Sequence, residues 1–148
     1  MSDLQARREA IEAKRAARQG DLSAAREEQY VTDLEALDAL ECEHGDSSVM
    51  RLDVERYVKG QPTFVVLKTP SPAVYKRFGD MCARAAKTND APARRAAENM
   101  FGESCWVYPA TKEAQASMLE HFPGLVLSIA IAAAKLVEAR ESETGKGD

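Results

Sequence analysis

The sequence predicts a predominantly helical α+β domain, and three observations carry that prediction. Most of the chain has apolar residues recurring at three- and four-residue steps, or the Ala, Glu, Arg and Gln composition that favours helix. Two short runs, Val49–Glu55 and Thr63–Leu67, have instead the alternation or the β-branched and aromatic enrichment of strands. A third, Cys105–Tyr108, holds the only Trp and is a further strand candidate. The expected layout is a charged N-terminal helix, strands near 49–55, 63–68 and 104–108 in a short antiparallel sheet, and helices near 30–43, 71–87, 91–101, 111–122 and 124–140. At 148 residues the chain suits one domain, burying roughly two thirds of its unfolded surface. That domain is expected over 30–140, between a helical or partly disordered extension, 1–29, and a disordered acidic tail, 141–148.

From Ser2 to Gln29 the only sizeable apolar residues are Leu4, Ile11 and Leu22, too few for a stripe that docks on a core. Between Asp3 and Glu28 six acids balance six bases, the pattern of a solvated helix face. Gly20-Asp21 is a possible stop and restart, Gly favouring a helix C-terminus and Asp an N-cap. Tyr30, Val31, Leu34, Leu37 and Leu40 are expected on one buried face, in a helix that stops at His44-Gly45-Asp46. Tyr57 to Pro62 then connects the two strands of a hairpin, which needs helices or a third strand for support.

Ser71 reads as an N-cap with Pro72 at the first helical position, opening a helix whose stripe is Val74, Tyr75, Phe78, Met81, Cys82 and Ala85. Thr88 to Pro92 breaks that helix and starts another, with Ala97, Met100 and Phe101 inward and Gly102 as its end. Thr111 caps a helix in which Ala114, Met118, Leu119 and Phe122 share a face, and Pro123-Gly124 interrupts it. The last helix, Leu125 to Val137, is apolar nearly all round, with Ser128 and Lys135 as its polar breaks. Such a helix must be covered on most sides. Two accounts of it stand open: a partner or second copy covers part of it, or it is the central core helix.

The composition excludes several classes of function. A net charge of -4 disfavours a protein devoted to coating nucleic acid. The basic runs Arg7–Arg18 and Lys76–Arg95 read as solvated faces. The charged start predicts no secretory signal, and Leu125–Val137 is shorter than the roughly 20 apolar residues of a membrane span. Three cysteines, Cys42, Cys82 and Cys105, fit neither a disulfide framework nor a zinc site, and reduced thiols in the cytoplasm are expected. Cys82 and Cys105 lie in apolar patterns, so a Cys-His nucleophile is not expected, and the isolated glycines make no phosphate loop. The sequence therefore predicts no enzyme, cofactor or metal, and a protein-binding role.

Three signatures, Ser71-Pro72-Ala73-Val74-Tyr75-Lys76-Arg77-Phe78, Cys105-Trp106-Val107-Tyr108-Pro109 and Leu119-Glu120-His121-Phe122-Pro123-Gly124-Leu125, are read together with Leu37–Gly45. In these the chain resembles the tail assembly chaperones of tailed bacteriophages, over roughly Leu34 to Arg140; the charged extension before Gln29 is longer than that pattern. The resemblance implies a non-enzymatic protein that binds the tape measure protein in the host cytoplasm, keeps it from aggregating during tail morphogenesis, and self-associates. The contact candidates are Phe122, Leu125, Ile129 and Leu136, with Tyr75, Phe78 and Trp106 as supporting core. The alternatives are another tail or head completion component, to be found in purified virions, and a small nucleic-acid-binding regulator, betrayed by steep salt dependence.

Overall fold

In the computed structural model, residues 2–146 are described, with side chains described through residue 141. The order is α1 (Ser2–His44), a single 3-10 turn at Asp46–Ser48, β1 (Val49–Asp53), β2 (Phe64–Lys68), α2 (Pro72–Thr88), α3 (Ala91–Cys105), β3 (Trp106–Tyr108), α4 (Lys112–His121) and α5 (Leu125–Lys146). The three strands form one antiparallel sheet in the order β1-β2-β3. This is the predominantly helical α+β architecture that the sequence predicts.

Alternation along β2 divides the core in two. Phe64 and Val66 point to one face of the sheet, where Val49, Tyr30, Leu37, Leu40, Val107 and Tyr108 pack around them. Val65 and Leu67 point to the other face, into a cluster with Phe101, Cys105, Met118, Leu125 and Ile129. The sheet is thus a middle layer, with the C-terminal third of α1 on one side and the remaining helices on the other. The period-two geometry of a strand makes this possible, since one five-residue run serves both interfaces.

Local signals set most boundaries. The Ser71 hydroxyl accepts a hydrogen bond from the Val74 amide at 3.2 Å, Asp90 from Ala93 at 3.0 Å and Thr111 from Ala114 at 3.1 Å. Each cap satisfies an amide that the first helical turn leaves without a partner. Asn89 ends α2 in the left-handed conformation, φ 52°.

Three boundaries and one helix face differ from expectation, each for a physical reason. α1 is continuous through Gly20-Asp21. A single Gly costs about 1 kcal/mol relative to Ala in a helix, which the alanine-rich flanks and the docked C-terminal third offset. Val31 and Leu34 do not share the burial of Tyr30, Leu37 and Leu40: Val31 points away from the sheet and Leu34 stands at the edge of the docked face, both exposed. Gly102 does not end α3. It lies inside the helix, where a Cβ would meet the Val126 carbonyl oxygen at 2.5 Å and Val126 Cγ1 at 2.8 Å, so its hydrogen lets α3 and α5 cross closely. α5 is helical to Lys146, past the expected end near Arg140. The rest of the expected disordered tail falls on 147–148, which lie outside the described residues.

Candidate partner-binding surfaces

The site begins at one buried acid. Asp33 stands in the middle of the docking face of α1 with no solvent exposure. Its Oδ2 accepts from the Thr63 amide at 2.7 Å and the Thr63 hydroxyl at 2.6 Å, and its Oδ1 accepts from Gln29 Nε2 at 2.8 Å and from the Tyr108 hydroxyl. These donors come from α1, the entry to β2 and β3, so one carboxylate ties the helix to two strands. Burying such a group is tolerated because it is saturated with donors. Burial first, and then the hydrogen bond and charge of Asp33, push the Tyr108 hydroxyl well above its ordinary range, keeping it protonated as a donor. Beside this knot Arg51 lies over the rings of Tyr30 (5.5 Å) and Phe64 (5.0 Å) and donates to the Tyr30 hydroxyl at 3.0 Å.

Anchored there, α1 runs out past the body. Every residue from Ser2 to Ala24 is exposed. At 1.5 Å per residue, the stretch before Gln29 is roughly 40 Å long. The helical wheel sorts its charges. At 3.6 residues per turn Arg7, Arg8, Lys14, Arg15, Arg18 and Arg26 fall within a sector of about 120°, and the six acids fall outside it. Leu4, Ile11 and Leu22, respectively 67%, 52% and 39% exposed, lie inside the basic sector. The arm therefore presents one apolar and cationic face and one face of alanine and carboxylate. Charge balance alone gives only a solvated face; spacing the charges on a helix is the signal that separates them.

The contact candidates, Phe122 at the end of α4 and three residues of α5, are placed differently from one another. Leu125 and Ile129 are buried in the main core, and Phe122 and Leu136 are half-buried against it. Phe122 and Leu125 share a cleft of about 360 Å³ between the β1–β2 connection and the α4–α5 corner, where Arg56 lies 5.4 Å from the Phe122 ring. Leu136 is eleven residues from Leu125, roughly 16 Å farther along the helix, and does not line that cleft. The exposed aliphatic side chains of α5 are Leu127 and Ile131. Most of this helix is thus the central core element, packed on α3 and β2. Tyr75, Phe78 and Trp106 join the same core, with Phe78 stacked on Phe101 at 4.2 Å.

Burial raises the Cys105 thiol to about 11, partly opposed by Lys68, so it is a protonated core group at neutral pH. No three His, Cys, Asp or Glu side chains converge as a metal site among the described residues. No single described helix is long and apolar enough to cross a membrane; α4 and α5 have the composition only together, and they bend by 109° at their junction. No protein-family model, curated protein or solved structure matches the chain.

Proposed function

We propose that this chain is a non-enzymatic, helix-binding protein that holds an amphipathic partner, in the manner of a phage tail assembly chaperone acting on a tape measure protein. The observation that carries the reading is the free arm of α1, with Leu4, Ile11 and Leu22 aligned inside its basic sector. An exposed helix of this kind offers a groove-side surface to a second helix whose apolar stripe is flanked by acids. The knot at Asp33 gives the arm a fixed root, which lowers the ordering cost of binding. Phe122 in the cleft beside Arg56 is the second contact candidate, with Leu125 lining the same cleft, while Ile129 and Leu136 belong to the core.

The test is co-expression of the full chain with a tape measure protein from the same genome. The wild-type chain raises the soluble fraction of the client, and the triple variant Leu4→Asp, Ile11→Asp, Leu22→Asp does not. A client that stays insoluble with the wild-type chain overturns the reading. A second reading rests on the same segregation of charge, because six cations on one helix face also suit a nucleic-acid backbone. Binding to duplex DNA that weakens steeply with salt, together with an unaffected client, selects it.

A further inference from the structure

The opposite face of α1 has a different pattern. Ala10, Ala13, Ala17, Gly20, Ala24 and Val31 follow alternating three- and four-residue steps, with Glu27 as the one interruption, and Leu34 continues the row. Val31 and Leu34 are 47% and 37% exposed, Val31 turned away from the sheet and Leu34 at the edge of the docked face. Along one edge of this row, at strict seven-residue intervals, stand Arg7, Lys14, Asp21 and Glu28: two bases followed by two acids. Among the described residues none of these four side chains makes an ion pair or a hydrogen bond, whereas the neighbouring Arg8 pairs with Glu12 at 3.0 Å.

We propose that this face is the interface with a second copy of the chain, in which two α1 helices pack antiparallel. A row of two bases and two acids is complementary to itself only when reversed. In an antiparallel pair the flanking positions of the same class meet each other. Arg7 then faces Glu28 of the second copy and Lys14 faces its Asp21, and the two-fold axis repeats both pairs. Ala17 and Gly20 pack across the axis, and such small side chains let the helices approach at the low end of the usual 8–10 Å range. Sliding the pair by one heptad either way sets Lys14 against Lys14 or Asp21 against Asp21, so the charges fix the register. A parallel pair sets Glu27 against Glu27 within the seam, whereas the antiparallel one sets it against Ala10.

The basic sector cannot serve in this role. A pair formed through Leu4, Ile11 and Leu22 sets Arg8 against Arg18 when antiparallel and every arginine against itself when parallel. The two faces of the arm thus have two occupants, a second copy on the alanine side and a different molecule on the basic side, with Arg7 and Lys14 on the edge that the two faces share. The pairing holds whether or not that molecule is a tail protein.

Analytical ultracentrifugation of the full chain over a range of concentrations tests this. The wild type sediments as a dimer of the 16.2 kDa chain. Arg7→Glu with Lys14→Glu places like charges in all four pairs, and the dissociation constant rises at least about tenfold. Adding Asp21→Lys and Glu28→Lys to that variant reverses every charge and restores the dimer. At high dilution, where every chain is monomeric, circular dichroism and urea midpoints of both variants match the wild type, because all four positions are exposed. A wild-type chain that remains monomeric at high concentration, or a dimer indifferent to the first pair of substitutions, overturns the proposal.

Discussion

Within the single helix α1, residues 30–44 and residues 2–24 have similar helix-forming composition and opposite surroundings. The first stretch lies on the sheet, with Tyr30, Leu37 and Leu40 packed on Phe64 and Val66 and with Asp33 saturated by donors. The second meets only solvent. The difference does not lie in intrinsic propensity. It lies in three bulky apolar side chains and one acid at three- and four-residue spacing, against a stretch whose aliphatics are one or two turns too sparse to form a seam. Tertiary contact fixes one end of the helix, and the other extends from it.

The sharpest way to break this comparison is at Asp33. Asp33→Ala orphans the Thr63 and Tyr108 donors and is expected to lower the unfolding free energy by about 3 kcal/mol in urea titration. A loss near zero would show that α1 is not rooted at this point. Next in size is Gly102→Ala, which forces a methyl group onto the Val126 backbone and is expected to cost about 2 kcal/mol. That cost falls on the α3–α5 packing alone, so the helicity of the arm should not change.

Smaller and pH-dependent effects follow from two buried groups, Tyr108 in the knot and Cys105 in the core on the other face of the sheet. The fold holds the Cys105 thiol and the Tyr108 hydroxyl above their ordinary values of 9.0 and 10.0, so it favours both protonated forms. Their contribution to stability is complete below about pH 9 and is lost as the pH rises, first through Cys105 between 9 and 11 and then through Tyr108 above 10. Tyr108→Phe is expected to destabilise at neutral pH by about 1 kcal/mol and to flatten the alkaline loss. An unchanged alkaline slope in that variant would remove Tyr108 from the account. Smallest of all, Leu4→Asp, Ile11→Asp and Leu22→Asp are each expected to move the urea midpoint by no more than about 0.5 kcal/mol equivalent.

Much of the fold was legible because its causes are local. Ser71, Pro72 and Thr111 announce helix starts within four residues, and Val49–Asp53 and Phe64–Lys68 declare themselves by side-chain type. What escaped sequence reading depends on contacts far apart in the chain. Gly102 resembles a helix end until α5 is seen crossing it. Val31 and Leu34 join the apolar row of Tyr30 and Leu37 by count, and only docking shows which row faces the sheet. Asp33 and Tyr108 meet across 75 residues. The one available signal was an acid occupying an apolar position of a regular stripe, between Tyr30 and Leu37. On α5 the apolar run marks a helix but not the side it buries: Leu125 and Ile129 face the core while Leu127 and Ile131 face out.

Hydrogen exchange along α1 of the full chain, followed at increasing protein concentration, tests the central division most directly. Amides of residues 30–44 should be protected at every concentration, while those of residues 2–24 exchange rapidly at high dilution and gain protection as the chain associates. Uniform protection along the whole helix at high dilution would contradict the account, because the arm would then be held by something other than its root at Asp33.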